Sequence, residues 1–139
     1  MNKYLLDTNV VSESRKLRPH GAVVAWLKDQ DDENLFLSAV TLGELQAGIE
    51  RTRRQDPKKA DEIERWANQL AASHQVLPMD TACFREWGRL IEHVPNRLLE
   101  DAMIAATARV HRLVIATRNQ RDFLQFDVLT VNPFETGRS

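Results

Sequence analysis

Residues 99–123 read LEDAMIAATARVHRLVIATRNQRDF. The first half is alanine-rich, with apolar residues at helical spacing, and predicts a helix over about 99–111. LVIAT, 113–117, is a short β-prone run and predicts a buried strand. A helix feeding a buried strand in this way is half of a right-handed crossover, the unit of a parallel sheet. One acid stands near the helix start, Asp101, and another in the polar loop beyond the strand, Asp122. A crossover helix runs antiparallel to its strands, so its start and the strand's end lie at one carboxyl edge. That edge is where open α/β sheets bind ligands. Asp101 shares a helix face with Ile104, Ala105, Ala108 and His111, a stripe of mostly small residues that packs closely on a sheet and turns Asp101 inward at the rim. Its neighbour Glu100 is rotated by about 100° and is expected to face solvent.

The same alternation runs through the rest of the chain. Residues 3–6, 35–37, 75–79 and 127–131 read as further strands, the third demoted towards an edge by Pro78. Helical patterns are expected at about 9–16, from Pro19 onward, after Ser38 or Thr41 as cap, at about 58–73 after the break at Asp56-Pro57, and after Asp80 or Thr81. Strands alternating with helices imply parallel pairing with helices on both faces of the sheet. No repeat, low-complexity segment or long linker divides the chain, so residues 1–139 are expected to form a single domain.

Two more acids fall on the same rim. Asp7 ends the first strand, and Glu44 lies in the first turns of the helix that leaves the second. Each of the four has a structural reading when taken alone. Asp7 or Asp122 could cap a helix, and Glu44 and Asp101 favour helix N-termini through the dipole. Asp7, Glu44, Asp101 and Asp122 converging on one rim is better explained by a site. Such a cluster is costly without a cation, and an all-oxygen donor set suits a hard divalent metal such as Mg²⁺ or Mn²⁺. At least one of these acids should therefore have a raised pKa. The chemistry implied is metal-assisted attack on a phosphate ester. Thr8, Asn9, Thr117 and Asn119 adjoin the acids and could orient them or a water. Arg118 and Arg121 flank the same loop, where either phosphate binding or surface ion pairing would suit them.

Composition narrows the alternatives. With 139 residues, 42% hydrophobic and 28% charged, the chain suits a soluble domain, and a net charge of −1 gives no global pull on nucleic acid. Basic residues do cluster locally, at Arg15, Lys16 and Arg18 and again at Arg51, Arg53, Arg54, Lys58 and Lys59. The lone Cys83 excludes an internal disulfide, and a packed thiol fits a cytoplasmic protein. The N-terminus resembles no signal peptide and no apolar run reaches membrane-span length. His20, His74, His93 and His111 have no mutual metal-ligand spacing, and no nucleophile is paired with a base.

With those residues in place, the chain resembles the PIN-domain ribonucleases. The segments that carry the likeness are LLDTNVVSE at 5–13, TLGELQAGI at 41–49, residues 99–123 and the final strand. The combination of DTN, DAMIAATA and TRNxxDF is closest to the VapC-type toxins of bacterial toxin–antitoxin pairs, in the FitB-like branch. The resemblance implies a three-layer α/β/α sandwich with a five-stranded parallel sheet, a Mg²⁺- or Mn²⁺-dependent endoribonuclease, and a homodimer. It also implies a small DNA-binding antitoxin, of the ribbon–helix–helix kind, that blocks the site. Carried over, the acids are Asp7, Glu44, Asp101 and Asp122, with Thr117 and Asn119 as polar positions. Arg112 departs from the pattern, where glycine is frequent before the fourth strand.

Two other classes compete. A haloacid-dehalogenase-like phosphatase also ends its first strand in Asp, but it needs a second Asp where this chain has Asn9. A non-catalytic module, such as a receiver-like domain, needs an early acid pair and a lysine after its last strand, where Val131-Asn132-Pro133 offers none. An interaction scaffold derived from a nuclease would not retain the whole acidic set.

Overall fold

The computed structural model describes residues 2–135. Five short strands, β1 (Tyr4–Leu6), β2 (Leu35–Ser38), β3 (Gln75–Leu77), β4 (Val114–Ala116) and β5 (Thr130–Val131), form one sheet in the order β3-β2-β1-β4-β5. Every pairing is parallel. The expected strands are all present, with β3 at an edge. The last is shorter than the expected 127–131, because Asp127 adopts a left-handed turn conformation (φ 52°) that breaks the extended run.

Alternate side chains explain the two covering layers. Leu5, Phe36 and Ile115 point to one face, where they meet Ala102, Ile104, Ala105 and Ala108 of α6 (Leu99–His111) together with Phe123 and Phe126. Trp87 of α5 (Thr81–Leu90) packs on the same cluster. Leu6, Leu35, Leu37 and Ala116 point to the other face. There they meet Val10 and Val11 of α1 (Thr8–Val11), Val23 and Trp26 of α2 (Gly21–Lys28) and Leu70 of α4 (Pro57–Ser73). The result is the three-layer α/β/α sandwich. α3 (Ala39–Arg53) leaves β2 and packs along α4 through Ile49, Ala60 and Ala67.

Helix starts follow the caps. The Ser38 hydroxyl accepts from Val40 N–H at 3.0 Å, Asp56 from Lys59 N–H at 3.1 Å and Asp80 from Cys83 N–H at 3.0 Å, so Ser38 rather than Thr41 opens α3. The helix expected over 9–16 is instead one α-turn followed by a 3₁₀ turn, Ser12–Arg15, and α2 begins two residues after Pro19, capped by His20. Cys83 is fully buried, as a packed thiol should be. No described helix is long and apolar enough to cross a membrane.

Strand order decides where a ligand fits. From β1 the chain moves outward through β2 and β3, then returns to the other side of β1 for β4 and β5. The direction of winding reverses between β1 and β4, and the crevice at their carboxyl ends is the switch point of the sheet.

Candidate active site

Leu6 pairs with Ala116 in the last rung between β1 and β4, so the next residues, Asp7 and Thr117, face each other across the switch point. Asp7 N–H donates to the Ala116 carbonyl at 2.9 Å, which fixes the backbone there. The Asp7 carboxylate accepts three hydrogen bonds. They come from Thr8 N–H at 2.9 Å, the Thr117 hydroxyl at 2.8 Å and the Asn9 amide at 3.3 Å. All three donors are neutral. Asp7 is only 7% exposed, and burial, reinforced by the charge of Asp122, holds its pKa above the ordinary carboxylate value despite those hydrogen bonds.

The polar neighbours form a single brace. Thr117, fully buried, also accepts from Asn119 N–H at 3.0 Å, and the Asn9 amide reaches its hydroxyl at 3.4 Å. Asn9 Oδ1 accepts from Arg118 N–H at 3.1 Å, which ties the β1 end to the β4 loop. Thr8 turns the other way and donates to Glu44 Oε1 at 3.4 Å. Thr8, Asn9 and Thr117 thus bond to the acids directly, and Asn119 bonds to Thr117 through its backbone N–H.

Glu44, in the second turn of α3, is half-buried, and its pKa rises to about 7. Burial is the largest cause, followed by the charges of Glu100, Asp7 and Asp101. Asp101, in the first turn of α6, is likewise half-buried, with a pKa raised to about 6 by burial and then by Asp7, Asp122 and Glu100. Asp122 lies in the 3₁₀ segment Gln120–Phe126, with its N–H on the Asn119 carbonyl at 3.0 Å. Each of the four acids feels the charge of at least one other. The upward shifts of Asp7, Glu44 and Asp101 share burial as their largest cause.

Two residues of the rim were not singled out for it by the sequence. Glu100 is exposed as expected, yet its charge is the foremost electrostatic influence on Glu44. Arg97, in the turn Asn96–Leu98 that opens α6, reaches Asp122 Oδ1 with Nη1 at 3.5 Å. The Pro95-Asn96 turn ahead of the helix was the available signal for its position. The two arginines named from the sequence stand differently. The Arg118 guanidinium lies over the Phe134 ring, 4.1 Å from its centroid, and Arg121 is exposed with no ion pair among the described residues.

A hard cation fits this donor set by chemistry: carboxylate oxygens, mutually repelling, on a rigid frame. Among the described residues, no three acidic, His or Cys side chains stand close enough together to hold a metal ion between them. An open arrangement of this kind leaves a hydrated divalent cation to be held by one or two carboxylates and several waters.

The family pattern of the PIN domain matches residues 4–129. The chain belongs to the PIN-domain family. It is 34% identical to Toxin FitB of Neisseria gonorrhoeae over 136 residues, covering 94% of this chain and 97% of that protein. It is also 34% identical, over 142 residues, to VapC ribonuclease Y4jK of Sinorhizobium fredii, covering 94% and 97%. Its structure superposes on FitAcB from Neisseria gonorrhoeae with a TM-score of 0.84 at 32% identity, over 95% of this chain and 99% of that one. The four acids of this PIN domain therefore sit at the switch point of a fold that its relatives share along nearly their whole length.

Proposed function

We propose that this PIN domain is a metal-dependent endoribonuclease and the toxin of a type II toxin–antitoxin pair, cutting RNA phosphodiester bonds at Asp7, Glu44, Asp101 and Asp122. The observation that carries the reading is the brace at the switch point: a buried Asp7 held by three neutral donors and no cation, among three further acids. Asp7 also caps α1 through its bond from Thr8 N–H, but neutral donors bring no positive charge to offset its burial near other acids. The relatives named as a toxin and as a ribonuclease support the biological role.

The cofactor of this reading is Mg²⁺ or Mn²⁺, which Asp7, Asp101, Asp122 and Glu44 would hold. When bound, the ion supplies charge to the phosphoryl oxygens and lowers the pKa of a water. The residues do the rest. Thr117, Asn9 and Thr8 N–H lock the Asp7 rotamer, so its oxygens need no reorganisation as substrate arrives. Glu44, half-buried and tied to the β1 end by the Thr8 hydroxyl, is placed to accept a proton from an attacking water. Asn9 also bears on the phosphatase alternative. Its amide donates to Asp7 and to Thr117, which a second aspartate in its place could not do.

Residues 1–139 form one nuclease domain in this reading, acting in the cytoplasm as a homodimer. The partner is a small ribbon–helix–helix antitoxin whose C-terminal segment lays an Arg or Lys among the four acids, since a guanidinium forks onto two carboxylates. The test is cleavage of single-stranded RNA by purified protein with Mg²⁺ or Mn²⁺, stopped by EDTA and lost in Asp101→Asn. Wild-type protein inert with either metal, or a variant that cuts as well as wild type, overturns the reading.

A further inference from the structure

A rim of four acids that receives a polyanion needs a cation beside it, and this inference rests on the ribonuclease reading given above. Among the described residues, the one basic side chain in an ion pair with any of the four acids is Arg97. Its backbone is fixed. Pro95 precedes it at φ −64°, Leu98 behind it is 2% exposed in the core, and α6 follows directly. Its side chain is 71% exposed. The contact with Asp122 uses one nitrogen at 3.5 Å, while a guanidinium carries five N–H donors in a planar fork. Exposed ion pairs contribute only about 0–1 kcal/mol, so leaving Asp122 costs little. Arg118 is engaged over Phe134, on the side of the loop that bears on Glu13.

We propose that Arg97 is a substrate-binding residue of this nuclease: its guanidinium rests on Asp122 in the free protein and moves onto an RNA phosphate beside the scissile bond when substrate enters. The turn that opens α6 thereby sets both an acid, Asp101, and the cation that offsets the rim's repulsion of RNA. The Asp122 contact keeps the fork at the groove until a better acceptor arrives.

The test uses the full chain in EDTA with a fluorescein-labelled, 2′-O-methylated single-stranded oligonucleotide, followed by anisotropy over a range of salt. Arg97→Gln is expected to weaken binding about tenfold and to reduce the slope of log K against log salt by about 0.7, the value for one phosphate contact on a single strand. Arg97→Lys should keep the slope and recover only part of the affinity, because a point charge replaces the fork. On cleavable RNA with Mn²⁺, Arg97→Gln should raise KM about tenfold with kcat changed much less, the signature of lost uniform binding. An unchanged melting temperature separates this from a structural role. Arg97→Gln binding with wild-type affinity and slope, while wild type binds and cuts RNA, overturns the proposal and leaves the ribonuclease reading standing. Wild-type protein that neither binds nor cuts RNA removes both.

Discussion

Asp7 and Glu13 lie in one segment and are almost equally hidden, 7% and 4% exposed, yet their chemistry is opposite. Glu13 forms an ion pair with Lys16, and its other oxygen accepts from His20 N–H at 2.9 Å. Those bonds hold its pKa below the ordinary value. Asp7 accepts one hydrogen bond more than Glu13 but has no cation, and burial with Asp122 nearby pushes it up. One carboxylate is satisfied where it stands, and the other is left in want of a positive charge. Glu86, clamped by Arg109 at 2.6 Å and Arg89 at 2.9 Å at the far end of α6, follows the Glu13 pattern, while Glu44 and Asp101 follow Asp7. The contrast sets Asp7, Glu44 and Asp101 apart from Glu13 and Glu86 by what neutralises them, not by how deeply they lie, while Asp122 stands between the two groups with a single long contact to Arg97.

The strongest way to break that contrast is to neutralise each acid in turn. Asp7→Asn should lower RNA cleavage by about a hundredfold or more, the scale of losing one preorganised electrostatic group. The fold should survive, since the amide can still accept from Thr8 N–H. Initial rates with Mn²⁺ and a circular-dichroism melt check both halves. Glu13→Gln should do the reverse. Loss of a charge-assisted pair inside the fold should cost about 1–2 kcal/mol in urea unfolding, with cleavage little changed. If the two variants exchange effects, the distinction fails.

A pH series sharpens it. Glu44 rises from 4.5 to about 7 and Asp101 from 3.8 to about 6. A raised folded-state pKa contributes stability that is full below the unfolded value and lost as pH climbs through the folded one. The rim should thus weaken the metal-free protein between roughly pH 4 and pH 7. Glu13, with its pKa lowered, contributes above its unfolded value of 4.5 and loses that contribution as pH falls further. Metal-free stability should peak near about pH 5, and Mg²⁺ should raise the melting temperature at pH 8 far more than at pH 5. Asp101→Asn should flatten the decline. A melting curve indifferent to Mg²⁺ at pH 8 would count against a cation site on the rim.

How much of this could be read in the sequence depends on the kind of signal. Asp7, Asp101 and Asp122 were legible because they adjoin β-prone runs or a crossover helix, and topology alone then sends them to one edge. The bracing bonds were half legible. Thr8, Asn9, Thr117 and Asn119 were visible as neighbours of acids, but the Thr117–Asp7 bond joins residues at opposite ends of the chain and needs the β1–β4 register. Glu13 was quoted only as part of a motif, because nothing local says that a 3₁₀ turn will fold Lys16 back over it. Arg118 and Arg97 show the same limit from the other side. Position in the loop that carries Asp122 favoured Arg118 and Arg121, while the fold laid Arg118 on Phe134 and brought Arg97 to Asp122.

The smallest expected effect tests whether site and scaffold are separable along one helix. α6 carries Asp101 in its first turn and ends at Arg112, which takes the left-handed conformation at φ 58°, ψ 48°. Leu113 N–H bonds to the Ala108 carbonyl at 2.8 Å and Arg112 N–H to Arg109 at 3.4 Å, the pattern of a Schellman cap. Glycine takes that conformation without the side-chain clash that an arginine bears. Arg112 is exposed, so little packing is lost with it. Arg112→Gly should stabilise the protein by about 0.5–1 kcal/mol, offset in part by the greater freedom of glycine in the unfolded chain. Cleavage should stay at the wild-type rate, because the change lies a full helix length from the acids. A gain in urea midpoint with unchanged kcat would mean that the rim's activity is set by its own uncompensated charge. A parallel change in kcat would mean that α6 transmits its end geometry to Asp101, and the clean division between the two kinds of carboxylate would have to be redrawn.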